Sequence, residues 1–359
     1  MSEREEPTTE APAPAGWGWR RHAGVLGLVL LALAAAVLVS LVGLRLLRGP
    51  AQQAVVLAAS EGVALHGTLL KPRGEGPLPA VLLLPGDDDR QLLAWYARLL
   101  ARSGFALLEY ERREAGDTGG YGPELPYESR AEDALACLRW LAGHPEIDPA
   151  RLGVLGHDDG GRIAPIVAAR YPELAFLVVT STTDLSPAQQ VVYETGRAVG
   201  DRGFRQETVD WAIFLQKRVM DYVRTGQGRE ALQGSLDESA AEPWFAVSGL
   251  PRRLGAPEEY EAWRAVMDFD PPTYWRQVRA PVLAISGALD TRSDVFWSQA
   301  GIKAALASGG NNAFRGEVIE GAGHGFTERW LPWDLPPSRY TPQLRRLLLE
   351  WLQGSAGRP

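Results

Sequence analysis

Short apolar runs alternate with amphipathic segments along most of the chain. Continuous apolar runs are typical of strands buried on both faces of a parallel sheet, and a 3.6-residue period is typical of helices packed against one. The pattern predicts strands at Val55–Ala59, Val63–Leu70, Ala80–Leu84, Phe105–Tyr110, Leu174–Thr180, Ala280–Ser286 and Glu317–Ile319. It predicts helices at Gln91–Ser103, Ser129–His144, Val295–Ser308 and Tyr340–Gln353.

Strand alternating with helix indicates an α/β fold with a mostly parallel, doubly wound sheet. The alternation stops between residues 184 and 272, where helical patterns such as Glu207–Arg224 and Pro257–Val266 dominate and aromatic residues are frequent. We interpret this segment as a helical cap inserted into the sheet domain. The sheet domain then consists of residues 54–183 and 273–355. Most of the cap's aromatic side chains are expected to form its core, and a few to face an active site.

The chain opens with an acidic, Pro- and Ala-rich stretch, residues 1–22, which predicts a disordered tail. Ala23–Leu44 is an uncharged run of 22 residues with arginines before and after it. Its length predicts a transmembrane helix over residues 23–47, with a cleaved signal peptide as the alternative. Arg20 and Arg21 favour a cytoplasmic N-terminus. The protein is therefore expected to be a single-pass membrane protein whose soluble domain lies outside the cytoplasm.

Composition and charge exclude some partners. The chain has 37 basic and 44 acidic residues and a net charge of −7, which argues against nucleic-acid binding. Its single cysteine, Cys137, precludes an intrachain disulfide and is expected in the core. No nucleotide-binding motif or metal-ligand spacing occurs, so no cofactor and no metal are expected. The expected partners are a small-molecule substrate and the membrane, and the oligomeric state stays open.

The first candidate catalytic residue lies in a tight turn with a glycine on each side. The stretch from Arg151 is apolar as in a short strand, a tight turn follows at Gly156–Gly160, and a helical pattern runs from Ile163 to Tyr171. A strand–turn–helix of this kind holds its central residue in a strained conformation above the sheet edge. The central residue here is Asp158. Asp159 follows it, and Gly160 and Gly161 complete the turn.

Two more polar residues follow later strands. Asp290 comes after the predicted strand Ala280–Ser286, and His324 lies in the glycine-rich loop Gly321–Phe326 after the last strand. Carboxyl ends of parallel strands share one edge of a sheet, so Asp158, Asp290 and His324 are expected to meet there. Asp290 would fix the tautomer of His324 and stabilise its charged form. His157 is expected to pack under the turn, and His22, His66 and His144 have no such setting.

These motifs resemble the α/β-hydrolase superfamily, and most closely a bacterial group of dienelactone-hydrolase-like or serine-aminopeptidase-like esterases. That group has G-H-S-x-G-G followed by I-A-P, an L-P-G loop with a downstream D-R, and P-V-L followed by G-x-x-D. The matching positions are Gly156–Gly161, Ile163–Pro165, Leu84–Gly86, Asp89–Arg90, Pro281–Leu283 and Gly287–Asp290. The resemblance implies the α/β-hydrolase fold and an oxyanion hole of backbone N–H groups from Asp159 and from Gly86 or Asp87.

Asp158 stands where that group has its serine, which leaves three interpretations open. Epoxide hydrolases and haloalkane dehalogenases of the superfamily have G-x-D-x-G and use the carboxylate as a nucleophile on an alkyl carbon. Tyr193, Tyr222 or Tyr260 would then be candidates to activate an epoxide oxygen, and the charge of Asp159 would disfavour a developing anion. Alternatively, the protein is a catalytically inactive homologue with a binding role. The third interpretation is water activated directly by His324. The expected substrate of an active enzyme is a small ester-like or alkyl compound, the latter an epoxide or a halide.

The interpretation as an inactive homologue includes a second form, in which the protein binds a metal ion. A hard cation such as Ca²⁺ would suit a cluster of acidic side chains. The acidic residues concerned are Asp87, Asp88, Asp89, Asp158 and Asp159. Alternatively, these carboxylates bind no metal ion and are exposed to solvent.

Overall fold

The computed structural model describes residues 30–38, 49–73, 76–86, 90–113, 118, 126–328 and 339–355. The chain divides into two compact units, Met1–Gly49 and Pro50–Pro359. In the first unit residues 30–38 are helical. The predicted tail and both ends of the predicted membrane segment 23–47 lie outside the described residues. Within the described residues, no helix combines the length and the apolar character needed to span a bilayer.

One eight-stranded sheet forms the centre of the second unit. Its strands are β1 Ala51–Ala58, β2 Ala64–Lys71, β3 Leu78–Leu84, β4 Ala106–Tyr110, β5 Ile147–His157, β6 Phe176–Thr180, β7 Val282–Gly287 and β8 Phe314–Ile319. Their spatial order is β1-β2-β4-β3-β5-β6-β7-β8. β2 pairs antiparallel with β1 and with β4, and all other neighbours in this sheet are parallel. The predicted mostly parallel, doubly wound sheet is confirmed.

Helices cover both faces of this sheet. In chain order they are α1 Arg90–Arg102, α2 Tyr127–Ala142, α3 Asp159–Arg170, α4 Pro187–Gly200, α5 Gln206–Thr225, α6 Arg229–Ser239, α7 Glu261–Val266, α8 Pro271–Trp275, α9 Val295–Ser308 and α10 Pro342–Ser355. Buried residues of α2, α3 and α9 share one core with one side of the sheet, and those of α1 and α10 share a core with the other side. A two-stranded ribbon, β9 Thr327–Glu328 with β10 Arg339–Tyr340, precedes α10.

The central strands are apolar on both faces because both are covered. Leu82 and Leu84 of β3 belong to one core, and Val81 and Leu83 belong to the other. Alternate side chains of a strand point to opposite faces, so both sets of positions must be hydrophobic here. The segment between β6 and β7 holds helices α4 to α8. Buried side chains of α4, α5 and α6 form a third cluster around Leu215 and Tyr222.

The strand limits differ from the predicted ones at the edge of the sheet. β8 begins at Phe314 rather than Glu317, because Phe314, Arg315 and Gly316 pair with Val282–Ala284 of β7. An edge strand needs no continuous apolar run, since one of its sides faces solvent. Sequence pattern alone therefore detects only the part of β8 that is apolar.

Candidate active site

Asp158 lies at the tip of the turn between β5 and α3. Its φ is 48° and its ψ is −112°, a strained conformation for a residue with a Cβ. Its N–H donates to Thr180 O at 3.0 Å, and its carbonyl accepts from the Gly161 N–H at 2.9 Å. The turn also needs its glycines: a Cβ on Gly156 would overlap the carbonyl of Gly160, and one on Gly160 would come within 2.5 Å of Leu84 O. The surrounding backbone therefore holds the Asp158 side chain above the sheet edge.

His324 and Asp290 lie together at the same edge of the sheet, as their positions in the chain predicted. His324 Nδ1 is 2.8 Å from Oδ2 of Asp290, a buried carboxylate that follows β7. Asp290 Oδ1 accepts the N–H of Arg292 at 2.9 Å, and Ser181 Oγ donates to His324 O at 2.8 Å. The acid thus orients the imidazole, and its Nε2 lies 3.6 Å from Oδ2 of Asp158. At that separation the two groups form an ion pair rather than a short hydrogen bond.

Arg292 is the site residue that the sequence analysis missed. Its Nη1 lies 2.6 Å from Oδ2 of Asp158 and 3.4 Å from His324 Nε2, and its Nε lies 3.4 Å from Oε1 of Glu194. Arg292 lies two residues after Asp290, in the loop between β7 and α9. This proximity to Asp290 in the chain is the one signal that could have pointed to it.

Both members of the Asp158–His324 pair are charged at neutral pH. Burial alone would raise the pKa of Asp158, but the nearby imidazolium of His324 and the charge of Arg292 outweigh it and lower the pKa to about 2. Burial would likewise lower the pKa of His324, but the Asp158 and Asp290 carboxylates outweigh it and raise the pKa to about 9. The resting site therefore holds a carboxylate between a guanidinium and an imidazolium.

Replacing Asp158 with asparagine is expected to lower the pKa of His324 from about 9, because one of the two carboxylates that stabilise the imidazolium is removed. An imidazole titration followed by NMR measures this change. Because the pKa of His324 is raised in the folded protein, its protonation stabilises the fold fully below pH 6.5, its ordinary pKa. That contribution is lost as the pH rises through 9. Because the pKa of Asp158 is lowered in the folded protein, its ionisation stabilises the fold fully above pH 3.8, its ordinary pKa. This contribution to stability is lost as the pH falls towards 2.

The stability difference between the wild type and Asp158→Asn should therefore be greatest between about pH 4 and 6.5 and should shrink above pH 9. Denaturant unfolding at a series of pH values measures it. A difference that does not vary with pH, together with an unchanged His324 pKa, would contradict the ion pair.

The charge of Asp159 is offset by three neighbours. Tyr127 donates its hydroxyl to Oδ1 at 2.8 Å, Arg130 Nη1 lies 2.5 Å from Oδ2, and Arg162 Nε lies 3.5 Å from Oδ1. Asp159 also begins α3, where a negative charge is favourable at the helix N-terminus. The expected repulsion between Asp159 and a developing anion is therefore largely cancelled, a result that depends on Tyr127 and Arg130, which are remote in the chain, as well as on Arg162 in the same helix.

The predicted oxyanion hole is described only in part. The Asp159 N–H is in the first turn of α3 and has no hydrogen-bond acceptor among the described residues. Gly86 ends the described part of the loop after β3. Asp87, Asp88 and Asp89 lie outside it, so the prediction for Asp87 and the acidic cation cluster stay untested. Within the described chain, no group of three His, Cys, Asp or Glu side chains is arranged to hold a metal ion.

A cavity of about 360 Å³ opens beside Asp158. Its lining is unusually rich in charged side chains. The basic ones are Arg112, Arg113, Arg130, Arg162 and Arg292, and the acidic ones are Asp133, Asp158, Asp159 and Glu194. A second cavity of about 540 Å³ shares Glu194 and Arg292 with the first.

The remaining candidates are His157, which lies beneath the turn, and three tyrosines, which are not in the described lining of the first cavity. His157 is fully buried under the turn, with Nδ1 2.9 Å from Thr180 Oγ1, and burial lowers its pKa to about 3. Tyr222 donates its hydroxyl to Gly255 O, and Tyr260 accepts the Gly255 N–H, so both serve the helical segment. Tyr193 is not part of the described lining of the first cavity either. The prediction that one of these tyrosines activates an epoxide oxygen is therefore not supported by their positions.

Comparison with known families and relatives gives the same assignment of fold. The family model described as X-Pro dipeptidyl-peptidase (S15 family) matches residues 61–299, more than half of the chain. The uncharacterized protein Rv2307c of Mycobacterium tuberculosis (strain ATCC 25618 / H37Rv) is 31% identical over 145 residues, 40% of this chain and 50% of that protein. Acyl-coenzyme A thioesterase 1 of Rattus norvegicus is 27% identical over 130 residues, 36% of this chain and 30% of that protein. The chain thus spans half or less of these relatives' length.

Solved structures match over most of the chain. DcsB in complex with its substrate analogue superposes with a TM-score of 0.55 at 18% identity, covering 85% of this chain and 99% of that one. The Pyrococcus furiosus esterase Pf2001 superposes with a TM-score of 0.55 at 17% identity, covering 86% of this chain and 92% of that one. At such identities the likeness concerns the fold alone. The α/β-hydrolase fold that the motifs implied is confirmed.

Proposed function

This chain belongs to the X-Pro dipeptidyl-peptidase family (S15 family), and we propose that it is a hydrolase whose nucleophile is the carboxylate of Asp158, with His324 and Asp290 as its partners. One observation carries the proposal. Both side-chain contacts of Asp158 go to Oδ2, and Oδ1 has no hydrogen-bond partner among the described residues. A carboxylate oxygen held at a strained turn beside a cavity, next to an oriented histidine, supports a nucleophilic role for Asp158.

The substrate class that suits this nucleophile is a small alkyl halide or epoxide. Oδ1 of Asp158 would form a bond to the substrate carbon while the carbon–halogen or carbon–oxygen bond breaks. The electron pair leaves with the halide, or stays on the opened epoxide oxygen, which takes a proton from solvent. An acyl ester suits the site less well, because attack by a carboxylate on it yields a mixed anhydride.

The second step hydrolyses the alkyl ester of Asp158. Water attacks Cγ and gives one proton to His324 Nε2. The tetrahedral intermediate then breaks its bond to the alcohol oxygen, which takes that proton from His324, and the regenerated acid releases the remaining proton to solvent. Because Asp158 has a pKa of about 2, the carboxylate returns to its ionised state.

The electrostatic coupling between Asp158 and His324 supports a first step in which Asp158 is alkylated and a second step in which His324 acts as a base. His324 is protonated in the resting state, and the Asp158 carboxylate is one of the groups that keep it so. Alkylation removes the charge of Asp158, which lowers the pKa of His324. The imidazolium then releases its proton to solvent, and the neutral imidazole is a competent base for the second step.

His324→Ala is expected to trap the intermediate, because the ester still forms and no base activates water against it. After incubation with an epoxide or an alkyl bromide, mass spectrometry should find one alkyl group on the peptide that contains Asp158. His144→Ala, a histidine outside the site, should turn over without accumulating ester. Asp158→Asn should form none. If a panel of epoxides and alkyl halides leaves no adduct on His324→Ala, the nucleophilic role of Asp158 is refuted.

The alternative function, a catalytically inactive homologue that binds a ligand, is favoured by a different observation. Arg292 and His324 together neutralise Oδ2 of Asp158, and a carboxylate of pKa about 2 is a weak base. A wild type that neither turns over nor becomes alkylated, while it still binds small molecules in the cavity, would establish this alternative.

The membrane attachment is a proposal as well. An uncharged run of 22 residues with flanking arginines supports a single-pass anchor over residues 23–47, with the domain outside the cytoplasm. Protease added to intact cells should then digest the domain. A domain that stays uncut until the cells are lysed would exclude this orientation.

A further inference from the structure

The cavity beside Asp158 is electropositive in an acidic protein. Its five arginines exceed its four carboxylates by one positive charge, and the charge of protonated His324, next to Asp158, is balanced by the Asp290 carboxylate. The whole chain, by contrast, carries −7. Clefts that concentrate one sign of charge attract ligands of the opposite sign. Alkylation of Asp158 would make this excess of positive charge larger still.

Three of the arginines make close contacts with other groups of the protein, and Arg112 interacts with the protein as well. Arg113 makes a two-bond contact with the Asp133 carboxylate, at 2.8 and 2.7 Å. Arg162 is buried and contacts Asp159, Leu185 O and Gln190. Arg130 contacts Asp159 and Pro85 O. Their role is to hold the walls of the cavity.

Arg292 differs from these three. Its Nη1 contacts Asp158 and its Nε contacts Glu194, while its Nη2 has no acceptor among the described residues. Its side chain is 46% exposed. Arg292 also lines both cavities, so it stands where they adjoin. Because Nη2 carries unused N–H donors in such a position, it is suited to a charge-assisted hydrogen bond with a carboxylate.

We infer that Arg292 binds the carboxylate of an anionic substrate, so that the substrate is a small carboxylic acid with a halogen or an epoxide beside its carboxylate. This inference rests on the proposed function and names its substrate class. Arg292 already touches the nucleophile, since Nη1 lies 2.6 Å from Asp158 Oδ2. A carboxylate on Nη2 would hold the adjacent carbon near Oδ1 of Asp158. Oδ1 then displaces the halide, or opens the epoxide, as described above.

The test compares an anionic substrate with its neutral isostere. The pairs are 2-bromopropanoate with 2-bromopropanamide, and glycidate with glycidamide, each rate being divided by the uncatalysed rate of the same compound. The wild type should prefer the acid by about 10- to 100-fold in kcat/KM, as expected for a charge-assisted hydrogen bond. Arg292→Gln should bring this ratio close to one. The matched control is Arg276→Gln, an exposed arginine outside both cavities that loses the same charge, and it should keep the wild-type ratio.

The ratio separates specificity from structural damage, because a misfolded site would lower both rates equally. A binding experiment that needs no turnover complements it. Propanoate should bind Asp158→Asn at least about 10-fold more tightly than the wild type, because the competing carboxylate is gone, and Arg292→Gln added to that variant should abolish the gain. Isothermal titration calorimetry measures both affinities.

The outcomes distinguish the nucleophilic role of Asp158 from the proposed substrate class. If the alkyl ester forms on Asp158 but Arg292→Gln leaves the ratio unchanged, the substrate class is wrong and the nucleophilic role stands. If neither the acid nor the amide reacts in any variant, the proposed function falls, and the substrate class falls with it. Equal propanoate affinity in the wild type and Asp158→Asn would overturn the role of Arg292.

Discussion

Asp158→Ser should hydrolyse short acyl esters at least about 100-fold faster than Asp158→Ala, since a positioned nucleophile and base account for several orders of magnitude in serine hydrolases. The strained turn would raise the new hydroxyl at the position that the carboxylate occupies. Removing the carboxylate lowers the pKa of His324, which allows the imidazole to accept the proton of the serine. Asp290 still orients it at 2.8 Å. Release of p-nitrophenol from acetate and butyrate esters measures the gain.

Asp158→Ala is the matched control, because it loses the same charge without supplying a hydroxyl. The wild type should be as slow as this control on acyl esters. Asp158→Ser combined with His324→Ala should lose the gain. A wild type that hydrolyses acyl esters and loses that activity in His324→Ala would contradict the restriction to alkyl substrates. Equal rates for the serine and alanine variants would mean that the turn no longer supports serine chemistry.

Removing the carboxylate of Asp133 is expected to destabilise the fold by about 3–5 kcal/mol, because the buried guanidinium of Arg113 loses the buried carboxylate to which it donates two hydrogen bonds. Arg113 lies after β4 and Asp133 lies in α2, so the pair joins two parts of the chain beside the cavity. Their contacts measure 2.7 and 2.8 Å, and both side chains are buried. Arg113 also donates to Ser60 Oγ at 2.7 Å. Denaturant unfolding of Asp133→Ala measures the loss.

The neighbouring residue provides a matched control. Glu132, also in α2, makes an exposed ion pair with Arg170 at 2.6 Å. Glu132→Ala should cost no more than about 1 kcal/mol, since water screens an exposed pair. Replacing Arg113 and Asp133 together by methionine and leucine should recover most of the loss, because no unpaired charge remains buried. Similar losses for Asp133→Ala and Glu132→Ala would show that burial of the pair has no energetic consequence.

Much of this protein followed from local patterns in the chain. Apolar runs and helical periods predicted the parallel strands and their flanking helices, because burial on both faces of a sheet imposes continuous hydrophobicity. The order of Asp158, Asp290 and His324, each after a strand, predicted that they would meet, because parallel strands end at a common edge. The glycines at 156 and 160 predicted the tight turn, since a Cβ at either position would overlap a carbonyl or approach one closely.

The electrostatic character of the site depended on the tertiary structure. Arg292 reaches Asp158 across 134 positions of the chain, and Arg130 reaches Asp159 across 29. Local sequence patterns do not predict such pairings, because the partner of a long, flexible side chain is one of the groups that the fold places near it. The pKa values of Asp158 and His324 follow from these neighbours and from burial. The sequence by itself thus determined which groups meet at the edge of the sheet, and only the tertiary structure decided their charges, because charge depends on distances between residues remote in the chain.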